Sequence, residues 1–205
     1  MVPINSYTIV GAFLILTVKA AMPQQTPTST VRALYDAVSR RDWMSAAVLA
    51  DSESLVAWHR DERASLANLL LSIGPEELHG ADTAAVDAIL RQNANAALRL
   101  PGMSPTTLGT IGSLSARDYL VRLWEVLDEV FGRAEPKAPA FGVVGEETQN
   151  DGTVRVQYRG YLGIGGGMPE SLELRRAGSG WRYVIIPELT SPNFAVLVGA
   201  LGGIR

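Results

Sequence analysis

The sequence predicts an α+β domain in which helices come first and an antiparallel sheet of about four strands comes last. Three observations predict it. Apolar residues recur every three to four positions between Thr28 and Phe131. They alternate with polar ones between Val154 and Ile185. Clusters of Gly, Pro, Asn, Asp and Ser separate these segments, as turn chemistry requires.

The first element is a targeting segment. Thr8 to Val18 (TIVGAFLILTV) is an apolar run of signal-peptide length, too short to span a bilayer comfortably. Val18 and Ala20 supply the small residues for cleavage between Ala20 and Ala21. MVPINSY carries no Lys or Arg, so only the α-amino group is positive there. Residues 1–20 are therefore read as a signal peptide, 21–29 as a flexible mature start and 30–205 as one domain. The alternatives are an uncleaved anchor or a buried first helix.

Val31, Leu34, Tyr35 and Val38 then recur at helical spacing behind a Thr/Ser cap region. Asp42 is placed to cap a short second helix with Trp43, Ala46, Ala47 and Leu49 on its apolar face. Ser52 opens a third, SESLVAWHRDERASLANLLLSIG, which Gly74-Pro75 stops. Asp82 caps a fourth carrying Val86, Ile89, Leu90, Ala94, Ala97 and Leu98, expected to run to Pro101. PGMSPTTLGTIGS reads as a loop. Ser115 and Asp118 form an imperfect capping box ahead of the clearest amphipathic helix, whose Tyr119, Leu123, Trp124, Leu127, Val130 and Phe131 share a face.

After the Pro-containing GRAEPKAPA the period becomes two. Val154, Val156 and Tyr158 alternate with Arg155, Gln157 and Arg159, and Leu172 and Leu174 with Glu173 and Arg175. Trp181, Tyr183 and Ile185 alternate in the last strand. Asn150-Asp151-Gly152 and AGSG supply hairpin turns, and FGVVGEETQ supplies the first strand. Arg155, Arg159, Arg175 and Glu173 are expected to pair across strands on the polar face. A terminal apolar segment, NFAVLVGALGGI, is too short to span a membrane and is expected to dock on the domain.

Bulk composition excludes more than it suggests. A length of 205 residues with 47% hydrophobic and 19% charged residues suits one ordinary globular domain. A net charge of -3 and a pI near 5.4 give no basic field for nucleic acid. Cys is absent, which removes disulfides, thiolate metal sites and Cys nucleophiles. His59 and His79 are the only imidazoles, so no multi-histidine metal centre can form. No cofactor is expected. The near-exclusive use of Arg over Lys fits a GC-rich bacterial source.

VRALYDAVSRRDWMSAAVLAD, with an aromatic in the first helix, a polar-Asp-aromatic break and a short helix ending on an acid, resembles the N-terminal hairpin of the NTF2-like (SnoaL and ketosteroid isomerase-like) superfamily. TVRVQYRGY and ESLELRRAGSGWRYVII look like its last strands, down to the Trp after the Gly turn. The resemblance covers about half the mature chain. It implies a cone-shaped α+β barrel with an apolar pocket, and a homodimer through the sheet. The chain departs from the compact members because residues 52–131 read as a helical expansion. No catalytic Asp or Tyr of the isomerases carries over; only Asp51 matches, as the acid that closes the hairpin. The expansion resembles exported bacterial relatives without an assigned activity.

The sharpest chemical anomaly lies on the third helix. At about 100° per residue, Leu55, Trp58, Leu66, Leu69, Leu70 and Ile73 share an arc of roughly 120°, and His59 and Glu62 fall inside it. One turn apart, they are close enough for a carboxylate to orient an imidazole as a general base. They equally suit a solvated rim, with Glu62 meeting Arg63 or Arg122. Tyr35, Trp58 and Tyr158 are candidates to line a pocket, though such aromatics also build cores. Gly163 to Pro169 (GIGGGMP) is superficially similar to a phosphate loop, but it joins two strands instead of leading into a helix and reads as a hairpin tip. His79 with Asp82 offers two metal ligands where a site needs three. AGSGW fails the spacing of a nucleophile elbow.

Two functions fit this reading. One is an exported, non-catalytic domain that binds a small apolar ligand, an envelope component or a second copy of itself. The other is an isomerase or hydrolase with His59 as base and Glu62 orienting it. One scaffold hosts both kinds of function, so the fold does not choose. Scarce His, absent Cys and the missing family acids favour the first.

Overall fold

A computed structural model describes residues 25–71, 82–98, 106–131, 141–159, 171–190 and 193–199. The expected signal peptide with its Ala20–Ala21 junction, His79 and the 163–169 loop lie outside them.

The first helix, α1 (Pro27–Ser39), starts three residues before the expected domain boundary. Thr26 and Ser29 form a reciprocal capping box: the Ser29 N–H donates to Thr26 Oγ1 at 3.1 Å, and the Thr26 N–H donates to Ser29 Oγ at 2.8 Å. Pro27 fills the first helical position, where a missing N–H costs nothing. The polar break that follows is a Schellman turn. The Asp42 N–H reaches the Ala37 carbonyl at 2.8 Å and the Arg41 N–H reaches that of Val38 at 2.9 Å. Arg41 takes the left-handed position usually given to Gly, with φ 56°. Asp42 then caps α2 (Trp43–Val48) by accepting from the Ser45 N–H at 3.1 Å.

Helix α3 (Ser52–Leu71) begins at Ser52 as expected, and Asp51 caps it: the Ser54 N–H donates to Asp51 Oδ2 at 2.8 Å. Two capping-type residues stand side by side here, and a distant strand decides between them. The Asp51 N–H donates to the Tyr183 carbonyl at 2.8 Å, and the Tyr183 N–H donates to the Leu49 carbonyl at 3.0 Å. These bonds hold Asp51 outside the helix.

Asp82 caps α4 (Thr83–Gln92) as expected, but α4 ends well before Pro101. Ala97 and Leu98 form β1 (Ala97–Leu98), paired antiparallel with β2 (Thr106–Thr107). A short α5 (Leu108–Gly112) follows inside the expected loop. It packs so closely that a Cβ on Gly109 would lie 2.9 Å from the Ala94 Cβ and 3.0 Å from the Ala94 carbonyl oxygen. Helix α6 (Ala116–Phe131) is opened by Ser115, whose Oγ donates to Asp118 Oδ2 at 2.7 Å. α6 touches α2 and α3, so Tyr119, Leu120, Leu123, Trp124, Val126 and Leu127 are all buried.

The sheet has four antiparallel strands in sequential order: β3 (Gly142–Thr148), β4 (Val154–Arg159), β5 (Ser171–Ala177) and β6 (Gly180–Tyr183). Its register puts Val154 opposite Leu174 and Val156 opposite Leu172, so the apolar positions share one face. On the other face Arg155 stands opposite Glu147 and Glu173 in register, but the ion pairs found there run from Arg175 to Glu173 on the same strand and to Asp51, in place of the expected cross-strand pairs. Gly152 (φ 83°) and Gly178 (φ 59°) sit at the β3–β4 and β5–β6 turns.

The sheet lies against the opening hairpin. α1 contacts β3, β4 and β6, and Tyr35, Phe141 and Tyr158 form an aromatic row between them, with centroids 4.1 and 5.6 Å apart. The fully buried Tyr183 donates its hydroxyl to the Ala46 carbonyl at 3.2 Å. Beyond β6 come α7 (Pro187–Thr190) and α8 (Phe194–Leu197), and Phe194 and Leu197 are buried. Trp124 Nε1 donates to the Leu189 carbonyl at 2.8 Å. The terminal apolar segment thus docks on the helices as far as it is described. Among the described residues no helix is long and apolar enough to cross a membrane.

Candidate functional site

The C-terminal segment does not close fully over α3. It leaves a cleft of about 700 Å³ between the first half of α3 and the chain that follows β6. One end is fixed by Ser54, whose Oγ accepts from the Ile185 N–H at 3.2 Å and donates to the Asp51 carbonyl at 3.1 Å. Ala57, Trp58, Ile185, Ile186 and Val196 supply apolar wall; Glu53, Asp61, Glu62, Arg175, Thr190 and Asn193 supply the polar lining.

Glu62 is the unusual group. It is 6% exposed, yet it is a carboxyl on a cleft wall. Its partners come from the far end of the chain. Asn193 caps α8 by accepting the Val196 N–H on Oδ1 at 2.9 Å, which turns its NH₂ to Glu62, and the Phe194 N–H donates to Glu62 as well. Oε2 has no hydrogen-bond partner among the described residues. Burial raises the Glu62 pKa to about 7; the bonds from Asn193 and Phe194 work against that rise and Asp61 adds to it. The carboxyl is therefore about half protonated at neutral pH.

His59 takes a different place. Its ring stands edge-on to Tyr119 with centroids 4.9 Å apart, and Nε2 is buried without a partner among the described residues. Burial, helped by Arg63, lowers its pKa to about 4, so it is neutral at pH 7. His59 is not among the cleft-lining residues, and among the described residues no hydrogen bond joins it to Glu62. The i,i+3 spacing brings them near in sequence terms, but the carboxyl turns to Asn193 and the imidazole to Tyr119. The alternative partners Arg63 and Arg122 are also engaged elsewhere, with Asp87 and Glu125, each at 2.7 Å.

Tyr119 backs the site. Fully buried, it contacts the rings of Trp58, His59 and Phe194, and burial raises its phenol well above the usual range. Of the aromatic candidates only Trp58 lines the cleft, with its Nε1 buried and unpartnered among the described residues. Tyr35 and Tyr158 belong to the aromatic row between α1 and the sheet. Arg175 Nη1 lies 3.9 Å from Asp51 and Nη2 lies 3.8 Å from Glu173, which draws its charge toward the sheet side of the cleft.

Sequence reasoning found Glu62 and Trp58 and missed Asn193, Phe194, Ile185 and Ile186. An Asn after Ser191-Pro192 is a helix-cap signal, which could have marked Asn193 as structured, though not as a partner of Glu62. Chemically the arrangement can hold a small molecule and exchange one proton at Glu62. Among the described residues no group of three or more potential metal ligands forms.

The chain matches no protein-family model, no curated protein and no solved structure.

Proposed function

We propose that the chain is an exported, non-catalytic NTF2-like domain that takes a small, largely apolar ligand into the cleft on α3. The observation that carries this is Glu62: a carboxyl buried to 6% exposure, with one oxygen unpartnered, on the wall of a cleft otherwise rich in apolar side chains. A volume of about 700 Å³ suits a small organic molecule. Kinship to the NTF2-like cone is supported by the order of elements, a helical hairpin packed on a sequential antiparallel meander. Export is supported by the apolar run from Thr8 to Val18. A second copy bound through the outer sheet face, where Arg155 and Glu173 stand, completes the reading.

The test is a thermal-shift screen with aliphatic and aromatic alcohols, amines, acids and lipids. Stabilisation of the wild type that is lost in Ala57→Trp, which fills the mouth of the cleft from an exposed position, supports the reading. A flat response across the panel refutes it. N-terminal sequencing of secreted protein should begin at Ala21; a retained Met1 refutes cleavage.

One observation favours the enzymatic alternative, an isomerase or hydrolase. A carboxyl with a pKa of about 7 on a cleft wall is suited to general acid–base work. The His59–Glu62 pair would not be the machinery, because His59 is outside the cleft lining. Glu62 alone would carry the proton, and turnover abolished by Glu62→Gln would establish it.

A further inference from the structure

We propose that α8 is held on α3 by the neutral form of Glu62 and lifts away more often once that carboxyl ionises, so that alkaline conditions loosen one wall of the cleft. The device needs no ligand: Asn193 and Val196 belong to that wall and travel with α8.

Glu62 sits where the two helices meet. α8 packs on α3, and the buried carboxyl accepts from the Asn193 NH₂ and the Phe194 N–H at the start of α8. Those donors favour the charged form, but no counter-ion completes it. Among the described residues no cation pairs with Glu62: Arg63 is engaged with Asp87 at 2.7 Å, and Arg175 faces Asp51 and Glu173 at 3.9 and 3.8 Å. Oε2 is enclosed and has no hydrogen-bond partner among the described residues. A charge buried in this way is relieved only by water. Two elements cover it. Tyr119 of α6 is fully buried among the rings of Trp58, His59 and Phe194, inside the core. α8 is a single turn at the end of the described chain with Val196 exposed, and it is the lighter element to move.

Apolar burial opposes release. Phe194, Leu197 and Val198 are all fully buried, so α8 stays docked in most molecules and only the frequency of its opening responds to pH. Around Glu62 stand His59, Asp61 and Arg63 of α3, with Asp87 of α4 behind Arg63, Tyr119 of α6, Arg175 of β5, and Asn193 and Phe194. His59 is neutral above about 4 and the Tyr119 phenol ionises far above its usual range, so neither changes charge between pH 6 and pH 8. Glu62 does: its pKa is about 7 when docked and returns toward 4.5 when water reaches it. Opening therefore releases a proton, and the opening constant should rise about tenfold from pH 6 to pH 8.

Amide hydrogen exchange of the full chain at pH 6 and pH 8, corrected for the intrinsic rate at each pH, tests this. The Val196 and Leu197 amides, bonded to Asn193 Oδ1 and its carbonyl at 2.9 Å each, report on α8; those of Leu123, Val126 and Leu127 in α6 report on global unfolding. Expected in the wild type are weaker protection of α8 than of α6 and about a tenfold fall in α8 protection from pH 6 to pH 8. In Glu62→Gln the protection of α8 should be the same at both pH values. Wild-type α8 protection that does not change with pH overturns the proposal. So does α8 protection equal to that of α6, because α8 then opens only when the whole protein unfolds. A tenfold fall that persists in Glu62→Gln overturns it too, by assigning the proton to another group. A flat ligand screen would leave all these outcomes unaffected.

Discussion

Replacing Glu62 by Gln should make the protein more stable at alkaline pH and leave it nearly unchanged at acid pH. Burial raises the Glu62 pKa from 4.5 to about 7. The folded state therefore holds a proton that the unfolded chain releases between these values. Stability is highest below pH 4.5 and falls as pH rises through about 7. At about 1.4 kcal/mol per unit the full loss is about 3 kcal/mol, of which about 2.5 kcal/mol falls between pH 5 and pH 8. Gln keeps the shape and can still accept from Asn193 and the Phe194 N–H, but it has no charge to bury. Urea unfolding of both proteins across this range is the assay. At a slope of about 2 kcal/mol per molar urea, the midpoint difference should grow by about 1 M in favour of Gln. His59 titrates over part of the range, but it is present in both proteins and cancels in the difference. A midpoint difference that stays constant from pH 5 to pH 8 would refute the argument that Glu62 ionises at a cost inside the fold.

His59→Leu should act with the opposite sign: its pKa is lowered from 6.5 to about 4, so the wild type loses stability as pH falls through that window and the variant does not, in the same unfolding series. Gly109→Val should lower stability by about 1–3 kcal/mol, read by thermal unfolding, because the new side chain meets Ala94 at 2.9–3.0 Å. Arg41→Gly should raise stability by about 1 kcal/mol by relieving the left-handed backbone, since the Arg41–Asp128 pair it removes, at 3.1 Å, is largely solvated. A loss of stability would show that this pair outweighs the strain. Asp51→Ala should cost about 1 kcal/mol through the α3 cap, with the far-UV helix signal falling alongside.

Parts of the fold whose information is local were legible. Asp42, Asp82 and Ser115 cap the helices they precede, and the alternation of Val154, Val156 and Tyr158 with Leu172 and Leu174 predicts the register-sharing face. Elsewhere local signals gave the wrong boundary. Ala94, Ala97 and Leu98 continue a helical period, but two-residue strands have no period of their own, so β1 was invisible. The start of α3 at Ser52 was legible, but not that Tyr183, far along the chain, holds its cap Asp51 in place. The site divides in the same way. Glu62 and Trp58 stood out as members of one arc on α3. The partner assigned to Glu62 by spacing was His59, whereas the contact that forms is with Asn193, and no periodicity reaches across that separation.

The pairing of Leu49 and Asp51 with Tyr183 also sets an order of assembly. The backbone bonds that anchor Leu49 and Asp51 form only once β6 exists, so the opening hairpin cannot settle fully until Tyr183 has been made. Contacts this distant slow folding. A ribosome-bound chain ending before Tyr183 should remain open to proteases in α1, α2 and the start of α3, and extension past Tyr183 should protect these helices and β6 together.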